Sequence, residues 1–121
     1  MSAFAKLVDL GPLPIWTDVL SRAVHGERIT MAVVELAPHS VVPEHHHPNE
    51  QLGVVLKGSM TFTIDGERRE LAAGDTYNIP GNVRHAVTTG PNGAVVVDVF
   101  SPIRGDWARL DALAPRPPAW P

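Results

Sequence analysis

The chain has no cysteine, which excludes disulfides, thiolate metal ligands and a thiol nucleophile together. It also lacks an excess of positive charge. Ten Lys and Arg against 13 Asp and Glu leave a net charge of -3 and a pI near 6.0, so neither nucleic acid nor an anionic membrane surface is expected as a partner. No apolar stretch approaches the roughly 20 residues of a membrane span, and "MSAFAKLVDLGPLPIW" has no basic segment followed by an apolar run and a cleavage site. The cytoplasm is therefore the expected compartment. A length of 121 residues suits one domain and leaves no room for an appended DNA-binding half.

What is present alternates with a period of two. The runs 28–37, 51–57, 59–65, 68–73, 75–80, 84–89 and 94–100 are short and rich in Val, Ile and Thr, which reads as strands. Asp65-Gly66 is a two-residue hairpin signal. Further turns are expected at Gly58, Ala73-Gly74, Gly81-Asn82 and Pro91-Asn92-Gly93. The expected fold class is all-β, a sandwich or closed barrel. We place a single domain over residues 1–114, with 1–20 as an N-terminal arm lying against the body, one short helix over 105–114 and a Pro-rich tail over 115–121. Trp16 and Trp107 are expected to pack on the body or on a partner subunit.

Chemistry concentrates in "EHHHPNEQ" (44–51) and in a lone His85 in an apolar context. In an extended segment His45 and His47 share a face, His46 points away, and Gln51 returns to the first face if the strand continues. Three imidazoles and an amide oxygen can hold a divalent first-row metal. The alternative is a solvated polar turn that binds metal adventitiously. Asp98, within "AVVVDVF", shares a strand face with Val96 and Phe100. A carboxylate buried among valines needs a partner: it faces the interior as a proton carrier, or forms a structural salt bridge with Arg84 or Arg104, or lies on a solvated outer face. His25 and His39 lie beside turns and read as surface residues, and His46 as an outward residue beside Glu44 or Glu50.

Two stretches, His45-x-His47-x3-Gln51-x6-Gly58 and Gly74-x5-Pro80-Gly81-Asn82-x2-His85-x3-Thr89, resemble the paired motifs of the cupin superfamily in order and spacing. Three positions depart from the pattern: Gln51 for Glu, Asn82 for Gly and Thr89 for Asn. The resemblance implies a cupin-type jelly-roll β-barrel holding one divalent transition metal (nickel, zinc, manganese or iron(II)) on His45, His47, Gln51 and His85. A small molecule is then the expected substrate, and a homodimer the expected assembly. A shell of three His and one Gln leaves the ion its full charge, which favours Lewis-acid over redox chemistry.

With "GERITMAVVEL" and "DVFSPIRGDW" added, the chain is similar to small bacterial cupins of the KdgF group, which convert 4,5-unsaturated monouronates to linear 5-keto-4-deoxyuronates. That resemblance implies Asp98 as proton carrier, Arg104 as clamp on the sugar carboxylate and Phe100 as pocket wall. Where the uronate enzymes carry a polar residue, this chain has Gly53. An isomerase, cyclase or dioxygenase of a natural-product or aromatic pathway therefore stands as an alternative, as does a cupin that binds without turnover.

Overall fold

The computed structural model describes residues 2–121. Its eight strands are β1 (Leu13–Trp16), β2 (Val19–His25), β3 (Thr30–Leu36), β4 (Val41–His45), β5 (Glu50–Ile64), β6 (Glu67–Ala72), β7 (Thr76–Ile79) and β8 (His85–Ser101). All pair antiparallel, in the order β1-β2-β3-β8-β5-β6, with β4 added on β8 and β7 on β5.

β5 and β8 give the barrel its shape. The first half of β8 pairs with β4 and the second half with β3, while β5 follows β8 along both halves. Each long strand therefore serves both layers of the jelly roll. The 51–57 and 59–65 runs are one strand, and so are 84–89 and 94–100. The expected turns at Gly58 and at Pro91-Asn92-Gly93 are irregularities in the β5–β8 ladder, where the register jumps from Gly58↔Ala94 to Met60↔Thr89. Gly58 and Gly93 both have positive φ, and a Cβ on either would stand 2.2 Å and 2.4 Å from a carbonyl oxygen of Gly93 and Leu36 respectively. Only glycine fits such a corner.

The interior is filled by alternate residues, among them Ala32, Val34 and Leu36 of β3, Val96 and Phe100 of β8, and Met60 and Phe62 of β5. Asp65-Gly66 closes the β5–β6 hairpin with both residues at positive φ, as expected. The arm supplies β1, which pairs with β2 at the sheet edge. A further expectation is corrected, and two strands, β2 and β4, lie outside the expected runs. The helix placed over 105–114 is only a 3-10 turn, Trp107–Arg109. β4 was not foreseen, because Pro43, Glu44 and His45 hide a strand that pairs only with β8, an edge position that tolerates proline. The Pro-rich tail runs without regular structure over the outer face, where the backbone carbonyls of Arg116 and Ala119 accept hydrogen bonds from Arg22 and Lys57. Among the described residues no helix is long and apolar enough to cross a membrane.

Candidate functional site

His45 ends β4 and His85 begins β8, and the two residues pair directly across the ladder. His47 follows in the loop. Its carbonyl accepts the backbone N–H of Asn82 at 2.8 Å, which ties the His loop to the turn that carries His85. Asn82 meets that turn at φ 64, a conformation asparagine tolerates better than most residues. Thr89 is equally well accounted for. Its hydroxyl donates to the Ala37 carbonyl at 2.7 Å and accepts from the Ser40 backbone N–H at 2.9 Å, anchoring the loop before β4.

The potential ligand atoms of His45, His47 and His85 all lie within 4.8 Å of one another. Each ring is oriented by the same device. Nδ1 donates to a backbone carbonyl, of Pro43 at 2.8 Å, Asn49 at 3.0 Å and Val83 at 2.9 Å respectively. That fixes the tautomer and leaves every Nε2 with its lone pair free. Burial, the largest cause in each case, holds all three imidazoles below their ordinary range, and pushes His85 down to about 4. They are neutral near pH 7 and ready to ligate.

Gln51, on β5 and buried, adjoins the cluster, with Oε1 3.1 Å from Nε2 of His47. With Nδ1 of His47 donating to Asn49, these two atoms are both acceptors, so no proton joins them. Asp98 is the diagonal neighbour of Gln51 across the β5–β8 ladder, and the amide pulls its carboxyl down, as an NH2 group turned toward a carboxylate does. Two acceptor atoms this close, beside two more free imidazole nitrogens, suit a divalent cation. The three-His cluster fits such an ion, with Gln51 placed as a fourth donor.

The remaining expected residues border the same cavity of about 330 Å³, which Asp98, Phe100, Arg104, Tyr77, Trp16 and Trp107 help to line. Asp98 does face the interior and is buried. Its partner is neither Arg84 nor Arg104. Arg84 bonds Glu44 at the surface, and it is the Tyr77 hydroxyl that donates to Asp98 Oδ1, at 2.5 Å. Burial pushes the Asp98 carboxyl up to about 6, against the opposing pull of the Tyr77 and Gln51 hydrogen bonds and the Arg104 charge. The Tyr77 phenol is raised well above its usual range, by burial first and by the Asp98 charge second.

The guanidinium carbon of Arg104 lies over two rings, 4.7 Å from the Phe100 centroid and 4.2 Å from that of Trp107. Its Nε and Nη2 donate to the two carboxylate oxygens of Asp106 at 3.1 and 2.9 Å. That occupies one edge of the guanidinium and leaves the Nη1–Nη2 edge for a second anion. Asn49 secures this region by donating to the Pro102 carbonyl at 2.7 Å. Sequence reasoning missed the roles of Tyr77 and Asp106. It also missed the packing of Trp16 against His45, tilted and at 5.0 Å between ring centroids. His25, His39 and His46 are exposed, as expected.

Residues 32–100, more than half of the chain, match the Cupin domain family. The chain belongs to the cupin family. This cupin is 35% identical over 83 residues to the pectin degradation protein KdgF of Dickeya dadantii, covering 68% of this chain and 76% of that protein. Among solved structures it is similar to KdgF from Halomonas sp., with a TM-score of 0.79, 23% identity and coverage of 88% of this chain and 98% of the other. The polyketide cyclase RemF of Streptomyces resistomycificus superposes with a TM-score of 0.73 at 23% identity, over 84% and 80% of the two chains. At those identities the two structures speak for the fold alone.

Proposed function

We propose that this cupin is a metal-dependent, non-redox isomerase that opens 4,5-unsaturated monouronates to linear 5-keto-4-deoxyuronates. The observation that carries the reading is one cavity in which the imidazole cluster and Gln51 face Asp98, Phe100 and Arg104, in a chain 35% identical to a pectin degradation protein. The reaction balances without a co-reactant. The anomeric hydroxyl gives up its proton, the bond from C1 to the ring oxygen breaks to leave an aldehyde, and the enol so formed gains a proton at C4 and becomes the 5-ketone.

The residues divide this work by their chemistry. The open edge of Arg104 suits the sugar carboxylate through two parallel hydrogen bonds. Asp98, its carboxyl raised to about 6, keeps a proton closer to neutrality than an exposed carboxyl does, which suits a group that takes a proton from one substrate atom and returns it to another. Phe100 forms the apolar wall beneath Arg104. Nickel, zinc, manganese or iron(II) on His45, His47, Gln51 and His85 would supply Lewis-acid polarisation of a substrate oxygen.

The test is consumption of an unsaturated monouronate by the purified, metal-analysed protein, followed as loss of the C4=C5 absorbance and appearance of aldehyde. With metal in excess, so that the site stays filled, Asp98→Ala is expected to slow turnover by at least about a hundredfold. No consumption by the wild type overturns the reading. A second reading, an isomerase or cyclase acting on a flatter and more apolar molecule, is favoured by the Tyr77 ring, which lies over Gly53 in place of a polar side chain. Turnover of such a molecule with none of the uronate would select it.

A further inference from the structure

Tyr77, Gly53 and Asp98 stand side by side in one cross-strand row, Tyr77 on β7 and Asp98 on β8, each directly opposite Gly53 on β5. Neighbouring strands lie about 4.8 Å apart, so a side chain at position 53 would ordinarily separate the other two. Here the tyrosine ring occupies that space. A Cβ on Gly53 would stand 2.2 Å from Cζ of Tyr77 and 2.4 Å from its hydroxyl oxygen. The ring crosses the bare strand, packs on Phe62 at 4.7 Å between centroids and delivers its hydroxyl to Asp98. Asp98 is in turn the diagonal neighbour of Gln51 across the β5–β8 ladder, both are buried, and the Gln51 amide helps to hold the Asp98 carboxyl down while its Oε1 faces His47 Nε2.

The geometry points to Tyr77 as a positioning residue of the metal centre, which acts through Asp98 to hold the Gln51 amide with its oxygen toward the imidazoles, and to Gly53 as the opening that admits the tyrosine ring. The phenol donates to this carboxylate, and the amide of Gln51 lies beside it on the same inner face. A carboxylate pinned by the phenol has its other acceptor sites fixed in direction, and the amide cannot rotate without placing its oxygen against an anion. Gln51 is thereby held in the one orientation in which it can ligate. Outer partners of this kind set metal affinity and not only geometry. The absence of a side chain at 53 is then a structural requirement of the site.

This inference rests on the metal centre of the proposed function but not on its substrate, and metal affinity tests it. Wild type, Tyr77→Phe, Gly53→Ala and the double variant are stripped of metal and titrated with zinc against a chromophoric chelator. Cobalt(II) spectra are recorded in parallel. Tyr77→Phe keeps the ring over Gly53 and loses only the hydroxyl, so fold and melting of the metal-free protein are expected to persist while affinity falls by about tenfold and the cobalt spectrum changes. Gly53→Ala displaces the ring and is expected to weaken binding by a similar factor. Its effect should vanish in the Tyr77→Phe background, because both variants break the same link. Affinity of Tyr77→Phe within about twofold of wild type, or fully additive losses in the double variant, overturns the inference while leaving the metal centre standing. A wild type that takes up no zinc overturns both.

Discussion

At the scale of the residue, Asp98 carries the sharpest electrostatic consequence. Its carboxyl is raised from 3.8 to about 6, so between those values the native state holds a proton that the unfolded chain has released. The stabilisation this provides is complete below the unfolded value and is lost as pH rises through the folded one. His85, lowered from 6.5 to about 4, has the opposite sign: its contribution is present above 6.5 and lost as pH falls. Asp98→Asn removes the first dependence and leaves the second. In metal-free protein the stability of the variant relative to wild type is therefore expected to improve by roughly 2 to 3 kcal/mol between about pH 4 and pH 7. Urea unfolding at both pH values reads it, and a difference that does not change with pH would mean that Asp98 is solvated. Strand alternation grouped Asp98 with Val96 and Phe100 but left open whether that face looks inward, since Val95, Val97 and Val99 make the other face equally apolar. The partner of Asp98 was not legible. Tyr77 reaches Asp98 only because β7, β5 and β8 are in a particular register across a glycine, and a side-chain pattern within one strand does not contain the register between three.

Among the elements, the β5–β8 corner does most to place the site, because it turns two strands from one layer into the other and so brings His85 on one half of β8 and Asp98 on the other to a single cavity. The runs in β5 and β8 were visible as alternating segments, but the glycines between them read as ends of strands. A positive φ at Gly58 marks a hairpin or a bulge with equal force; which one is realised depends on the carbonyl of Gly93, 35 residues away in sequence and adjacent in space. Gly58→Ala imposes both a left-handed backbone on a residue with a Cβ and a 2.2 Å approach to that carbonyl. It is expected to cost more than about 2 kcal/mol in denaturant unfolding. Gly66→Ala, also at positive φ but with nothing within 4 Å, carries the backbone penalty alone and is expected to cost about 1 kcal/mol. Equal losses at the two positions would show that the corner relaxes freely and that the close approach contributes nothing.

For the molecule as a whole, the candidate ligands join two distant parts of the chain: His45, His47 and Gln51 are near neighbours in sequence from the end of β4 to the start of β5, and His85 comes from β8. An ion shared by these residues binds only when the barrel is closed, so its binding energy adds to folding stability. At a free metal concentration about a hundred times the dissociation constant the gain is about 2.7 kcal/mol, which for a domain of this size raises the melting temperature by roughly 10 °C. The unfolded chain retains its own weak attraction for metal through the consecutive residues His45, His46 and His47, and binding there subtracts from the shift. His85→Ala separates the two contributions, because it leaves the triplet intact and removes the ligand that only the fold brings near. The metal-dependent rise in melting temperature is expected in the wild type and absent in His85→Ala, measured with and without chelator. A rise of the same size in both proteins would assign metal binding to the triplet alone and deny the barrel any part in it.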